Sequence, residues 1–320
     1  MSSPTSLQRP DDIRPLVQDS VPWSPLDFIR DVSADGDRRV QFDGLLRGLD
    51  PANDLRLVVP ISRDMEAAVL AERLPWDSSF FGYGVARLQG IFPIGAGSYR
   101  PDADYAPAVR ALIDAARARG VRYLFGVIDA RDLPTLRALT ALSFVLIEAR
   151  IYYHIALREF RYPRRHRCRP ATPADLEALV EMAATVDNPY DRFNSDPFIG
   201  RDNARRLIAQ WVRASILDGF ADVTIIPDSP TPGSLVTLKY HEDKAAAWES
   251  RVAQKMLAIA TPRMGNGWIH VVTETLHHAR ERGCDHVIFT TQLANRRLIR
   301  TGEHAGYRFG RGEYVFRILL

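Results

Sequence analysis

Two hydrophobic periods alternate along this chain, and each switch between them marks an element. Ala253–Thr261 is largely apolar and reads as a buried strand. Pro262-Arg-Met-Gly-Asn-Gly-Trp268 follows, with glycines two apart, and a helix runs from about Trp268 to Arg282. His286–Gln292 reads as the next strand, then come Asn295, a second helix and Gly306-Tyr307. The first half shows the same alternation. An aromatic cluster, Trp76-Asp-Ser-Ser-Phe-Phe-Gly82, leads into a strand at 85–88 and reads as core packing of that strand in preference to a ligand role. Val109, Leu112, Ile113 and Ala116 give a helix over 102–120; 123–128 is a strand, 132–142 a helix and 145–157 a long strand or hairpin. Thr172-Pro-Ala-Asp175 opens a helix as an N-cap with proline at its first position. An amphipathic helix over 203–217, with Trp211 on its core side, precedes a three-stranded antiparallel meander over 221–227, 234–241 and 252–261. At the start, 40–46 and 55–61 read as strands, and the first dozen residues, rich in Pro, Ser and Asp, read as loose chain.

The two halves repeat. Ala116-Arg-Ala-Arg-Gly120 returns as Ala279-Arg-Glu-Arg-Gly283, and the same offset of 163 pairs Arg137 with Arg300, Phe144 with Tyr307, Tyr153 with Phe316 and Leu157 with Leu320. Self-similarity at a domain-sized period implies duplication. The first copy lacks an apolar strand running straight into a glycine turn: Gly95-Ala-Gly97 is followed by Ser-Tyr-Arg-Pro. A degenerate copy that shapes a site but holds no cofactor is the expectation. The division is then 1–70, an extension of unassigned role; 71–160, the degenerate domain; 161–170, a linker with two prolines and five arginines; and 171–320, the working domain.

Composition narrows the classes. With 46% hydrophobic and 25% charged residues the chain is ordinary globular protein, and a formal charge of +3 does not suggest nucleic acid. No apolar run has transmembrane length, so a cytoplasmic protein without membrane partners is the expectation, with a homodimer left open. Cys168 and Cys284 make neither a disulfide framework nor a metal set. Three of the 42 basic residues are lysines (Lys239, Lys244, Lys255) and the other 39 are arginines, a bias that reflects genome composition rather than phosphate recognition.

A strand, a Gly-x-Gly turn and a helix N-terminus together cradle a pyrophosphate: the glycines let backbone approach, and the helix presents unpaired N–H groups and its positive end. A dinucleotide fingerprint would need a third glycine and an acid ending the next strand, but Val271-Val272 and Thr291-Gln292 stand there. What remains resembles the GCN5-related N-acetyltransferase superfamily, whose motif Gln/Arg-x-x-Gly-x-Gly/Ala stands here as Pro262-Arg-Met-Gly265-Asn-Gly267. Asn295 and Gly306-Tyr307 keep the spacing of its second signature, with Gly302 in place of the tyrosine between them. Within it the chain is most similar to the dTDP-fucosamine acetyltransferases, on Trp76–Gly82, Asp191-Arg-Phe-Asn-Ser-Asp196 and Thr291-Gln-x-x-Asn295.

The resemblance implies an α/β (α+β) fold with a mixed, mostly antiparallel sheet flanked by helices, preceded by a degenerate half. It implies acetyl-CoA as co-substrate, no metal, and a small-molecule amine as acceptor, with the 4-amino group of a nucleotide-linked sugar as one candidate. Ala258, Ile259 and Ala260 would pair with the pantetheine arm. Gly265, Asn266, Gly267 and Trp268 would hold the pyrophosphate, with Arg263 adding charge or simply solvated. Asn295 would touch the coenzyme, cap its helix, or both. Tyr190, Asp191, Arg192 and Phe193, in the polar loop 187–197, would meet the acceptor or form an ordinary surface loop. Gly302 removes the usual acid; Glu249, Asp191 and His304 are the candidate catalytic groups, and His241 and His270 read as structural. A lapsed member that binds coenzyme A as scaffold or sensor is the alternative.

Overall fold

The computed structural model describes residues 5–6, 23–47, 54–94 and 99–320. The chain runs β1 (Thr5–Ser6), α1 (Ala34–Arg47), β2 (Asp54–Pro60), β3 (Glu66–Arg73), α2 (Pro75–Phe81), β4 (Gly84–Ile94), α3 (Ala106–Ala118), β5 (Val121–Asp129), α4 (Leu133–Ala141) and β6 (Val145–Ala156). It continues through β7 (Cys168–Pro170), α5 (Leu176–Ala184), α6 (Arg192–Ser195), α7 (Arg201–Leu217), β8 (Val223–Pro227), β9 (Ser234–Tyr240) and α8 (Ala245–Trp248). The last elements are β10 (Val252–Ala260), α9 (Trp268–Glu281), β11 (His286–Gln292), α10 (Arg296–His304) and β12 (Arg308–Leu319).

These elements form two compact units. The first holds the segment up to Asp27, Ala34–Ala149 and Gly312–Leu320; the second holds Phe28–Ser33 and Arg150–Arg311. The units therefore run differently from the linear division at 161–170. Strand β6 belongs to the second unit from Arg150 onward, where it lies antiparallel to β11 from Ala156↔His286 to Arg150↔Gln292. The C-terminal run belongs to the first, where Glu313–Leu319 lies antiparallel to β5.

In the first unit the strands follow the order β1-β2-β3-β4-β5-β12, antiparallel except for the parallel β4–β5 pair. Ala67–Ala71 of β3 are all buried, the mark of a strand covered on both faces. Leu88, Leu112, Leu124, Ile128 and Leu139 lie in one apolar cluster that α3 and α4 close. In the second unit the order is β6-β11-β10-β9-β8-β7, with β10–β11 the parallel pair. Helix α9 seats Trp268, Val271, Val272 and Leu276 against Leu238, Ala253, Val287 and Phe289. Leu179, Met182 and Val212 of α5 and α7 pack with Ile226, Leu235 and Ile259 in a separate cluster.

The duplication extends to turn chemistry. Asp132 and Asn295 each cap a helix by accepting from the third residue on, Thr135 N–H and Leu298 N–H. Gly120 and Gly283 have φ of 70° and 76°, and Ser143 and Gly306 have φ of 64° and 96°. Two expectations are corrected. Residues 40–46 are helical rather than extended: Asp35 and Asp37 sit in the first turn of α1, where negative charge favours a helix, and Asp37 is buried, accepting from Leu26 N–H at 2.6 Å. The Trp76–Gly82 cluster is not core: it forms α2, which buries no residue, and Trp76 is 50% exposed, stacked on Phe80 at 5.2 Å. The reading of the first dozen residues, apart from the β1 pair, and that of Gly95-Ala-Gly97 fall on positions outside the described residues.

Candidate functional site

Strands β10 and β11 pair over only four positions, Val252↔His286 to Lys255↔Phe289. Beyond Lys255 a one-residue shift in the β9 register, between Lys255 and Ala258, bends β10 away. The Leu257 N–H donates to Thr237 Oγ1 at 2.9 Å, a side-chain bond at the bulge. Ala258, Ile259 and Ala260 then pair with Val236, Leu235 and Ser234 of β9 alone, so their other edge is left open. The parting makes a narrow cavity, open to solvent, lined by Lys255, Phe289 and Thr290 on one side and by Trp268, Val272, Leu298 and Gly302 on the other.

The glycine turn lies at the open end of β10. Gly265 has φ 48° and ψ −126°, a conformation in which a Cβ is strained. Thr261 N–H and Oγ1 both donate to the Gly233 carbonyl, at 2.9 and 3.1 Å, and Arg297 Nη2 donates to the Gly265 carbonyl at 3.2 Å, tying the turn to α10. Gly267 has φ −64°, and a Cβ there would meet Met264 Cε at 3.6 Å and His270 Nδ1 at 4.0 Å, both ordinary contacts. Its missing side chain is thus no demand of the protein's own packing. Trp268 buries its ring and opens the 14-residue α9, whose first amides lack helical partners. Arg263 and Arg297 are exposed beside this turn.

The other candidates separate. Asn295 caps α10, its Oδ1 accepting from Leu298 N–H at 3.2 Å. Gly302 lines the cavity, and a Cβ there would stand 2.7 Å from Phe289 Cζ, so no larger side chain enters unless that ring moves. In the loop, Asp191 Oδ1 accepts from the N–H groups of Phe193 and Asn194, both at 2.9 Å, and so caps α6. Phe193 is buried edge-on against Trp211, and the Arg192 guanidinium covers its ring. Tyr190 is 45% exposed, and Asn188 Nδ2 donates to Gln292 Oε1 at 2.8 Å, fastening the loop to the end of β11. Glu249 is exposed, in the left-handed region at φ 54°, at the head of β10; the length of that strand, roughly 25–30 Å, separates it from the turn. His304 is exposed at the end of α10.

His241 bonds Gln254, and His270 stacks on His166 at 3.6 Å, as structural histidines do. In 161–170, Arg165 pairs with Glu274 and Glu281, and Arg169 with Asp175. Both cysteines are free, and among the described residues no group of three or more His, Cys, Asp or Glu could hold a metal. No helix among these residues is long and apolar enough to cross a membrane.

Sequence patterning missed Lys255, which it counted into a strand. Its Nζ donates to the Val272 carbonyl at 3.2 Å and lies 4.9 Å from the Tyr307 ring centre. Burial alone pulls its pKa down to about 7. The Tyr307 hydroxyl is buried with no hydrogen-bond partner among the described residues, and burial holds that phenol protonated. Tyr153, stacked on Phe289 at 5.3 Å, donates to Glu303 Oε1 at 2.9 Å; desolvation first and then this bond push it up to about 12. The available signal for Lys255 was its rarity, one lysine of three.

No protein-family model matches the chain, and no curated protein matches it in sequence. Solved structures do match in shape. A GCN5-related N-acetyltransferase from Sphaerobacter thermophilus aligns with TM-score 0.52 and 13% identity, covering 87% of this chain and 85% of that one. A GNAT-family acetyltransferase from Colwellia psychrerythraea aligns with TM-score 0.51 and 13% identity over 100% of both chains. A GCN5-related glucosamine N-acetyltransferase region in a fungal multi-domain β-N-acetylglucosaminidase gives TM-score 0.63 at 11% identity, over 99% of this chain and 38% of that one. The fold is therefore that of the GCN5-related N-acetyltransferases, with two such halves in one chain.

Proposed function

We propose that the second unit is an acyl-CoA-dependent N-acyltransferase that moves an acetyl group to an amine. One observation carries this reading: the open edge of Ala258–Ala260 runs into a turn held at positive φ by Gly265 and on into the N-terminus of α9. An open strand edge suits an amide-bearing arm, which can add to it as a further strand, and a helix N-terminus suits a pyrophosphate. Coenzyme A has both, one after the other. The cavity between β10 and β11 then receives the thioester. The acceptor nitrogen adds to the thioester carbonyl, and the coenzyme leaves as thiolate.

The acceptor belongs to the same proposal. An amino sugar, free or nucleotide-linked, is supported by the exposed Tyr190, available to stack a sugar ring, on a loop bonded to β11 through Asn188. It is supported also by the glucosamine acceptor named for one protein of similar fold. The lapsed alternative draws on Gly302, which brings no hydroxyl to the cavity and has no room for one. A direct test incubates the protein with acetyl-CoA and a panel of amines, among them glucosamine and a 4-amino nucleotide sugar, and follows free thiol. Acceptor-dependent thiol release supports the enzyme; coenzyme binding without release to any amine supports the lapsed reading; no coenzyme binding rejects both.

A further inference from the structure

Among the residues lining the cavity between β10 and β11, Lys255 alone is titratable; the rest are apolar apart from Thr290 and Gly302. It has no carboxylate partner among the described residues, and its ammonium is held by one carbonyl and one aromatic face. The other two lysines sit in ordinary surroundings: Lys239 pairs with Asp222 at 2.9 Å, and Lys244 lies against His241 and the Trp248 ring. A chain with 39 arginines has placed a lysine at this enclosed point. The two cations differ in one respect that matters here: a buried ammonium can give up its proton near neutrality, a guanidinium cannot.

We propose that Lys255 is the proton donor to the thiolate that leaves when the thioester is cleaved, an inference that rests on the coenzyme A reading above. The acceptor nitrogen adds to the carbonyl carbon, the C–S bond breaks, and the electron pair stays on sulfur. A proton passes from Lys255 Nζ to that sulfur, leaving a neutral amine and coenzyme A thiol. The proton lost by the acceptor nitrogen goes to solvent, and Lys255 takes one back from solvent once the product leaves.

The surroundings suit this. Val272 from α9 offers its carbonyl, Tyr307 its ring, β11 the Phe289 ring and α10 the Gly302 backbone. The Glu303 carboxylate of α10 is engaged by Tyr153, and no charged group acts on Lys255. Desolvation therefore sets its acidity and brings it within about two pH units of a free thiol's 8.5, so a proton passes between nitrogen and sulfur at little free-energy cost.

The test needs no acceptor. With three lysines in the chain, ε-carbon-labelled protein gives three resonances, and Lys255→Met identifies one of them. Calorimetry first establishes that coenzyme A binds. We expect the Lys255 midpoint to rise by a full pH unit or more when coenzyme A fills the site, because the thiolate holds the ammonium. Alkylation of the bound coenzyme thiol should likewise show a midpoint below 8.5 in the wild type, and at least one unit higher in Lys255→Met. If coenzyme A binds and the Lys255 midpoint does not move, the proton-donor role is wrong and the coenzyme site stands. If coenzyme A does not bind, the function proposed above falls and this role with it. The titration uses wild-type protein and shows three resonances, so failure of the methionine variant to fold leaves the test intact: the lone low midpoint marks Lys255, and three midpoints near 10.5 overturn the proposal.

Discussion

The helix–strand–helix segments α3–β5–α4 and α9–β11–α10 are built to one plan, and the two units diverge where the preceding strand parts from its parallel partner. In the first unit the last pair joining the parallel strands is Leu88↔Gly126; in the second it is Lys255↔Phe289. Leu139, 163 positions before Gly302, is fully buried and belongs with Leu88 and Ile128 to an apolar cluster. Where the first unit has a leucine on the helix and a leucine on the strand, the second has a glycine, a lysine and a cavity. A duplicated scaffold keeps its caps and turns because local hydrogen bonds need them. It fills or empties the space between parting strands according to use. Filling that space stabilises; leaving it open, with an unpaired ammonium beside it, costs stability and is intelligible only if something binds there.

The largest effect should come from removing that ammonium. The folded-state pKa of Lys255, about 7, lies below its ordinary 10.5, so the unfolded chain binds more protons between those values and stability rises with pH across that window. The penalty is complete below pH 7 and gone above about 10.5. Lys255→Met should therefore stabilise the second unit by on the order of 4 kcal/mol at pH 6, and by little at pH 10.5, in urea titrations. A gain independent of pH would mean that Lys255 is not charged in the folded core.

Importing the first unit's leucine is the next test. Gly302→Leu puts a side chain against Phe289 and should cost about 1–3 kcal/mol by overpacking while closing the cavity. Coenzyme binding measured by calorimetry should fall with it. Retained binding would show that the cavity is not the thioester's place. A smaller effect concerns the caps. Burial raises Asp132 to about 6, so its carboxylate penalises the first unit above pH 6 and not below about 4. Asp132→Asn, which copies Asn295 and keeps the cap, should stabilise by about 1–2 kcal/mol at pH 7.5 and by nearly nothing at pH 3.5. Equal gains at both values would trace the effect to something other than ionisation.

Much of this was legible in the sequence because it is local. The nine-residue apolar strand, the glycine turn, the capping of α10 by Asn295 and the 163-residue repeat are read from neighbours along the chain, and each appears at its place. What escaped is non-local. Strand β6 follows α4 in sequence yet lies beside β11, a choice set by partners far along the chain. Residues 40–46 alternate like a strand but are helical, and Trp76 belongs to a helix that leaves its ring half in solvent. In the loop, Asp191 and Phe193 looked free to meet an acceptor, while the folded chain spends one on a cap and buries the other. Lys255 was visible as a letter, but its isolation appears only when α9, β11 and Tyr307 close around it.

The central claim is that one unit binds coenzyme A and its twin does not, and the stoichiometry of binding tests it most directly. Titration calorimetry with acetyl-CoA should give one site per chain in the wild type. In Gly267→Val the affinity should fall roughly 10- to 100-fold, a loss of about 1.4–2.8 kcal/mol, because a branched side chain enters the anion's path. The melting temperature should hardly change, since a Cβ at that position meets nothing closer than 3.6 Å. Two molecules bound per chain, or equal affinity in the variant, would contradict the account.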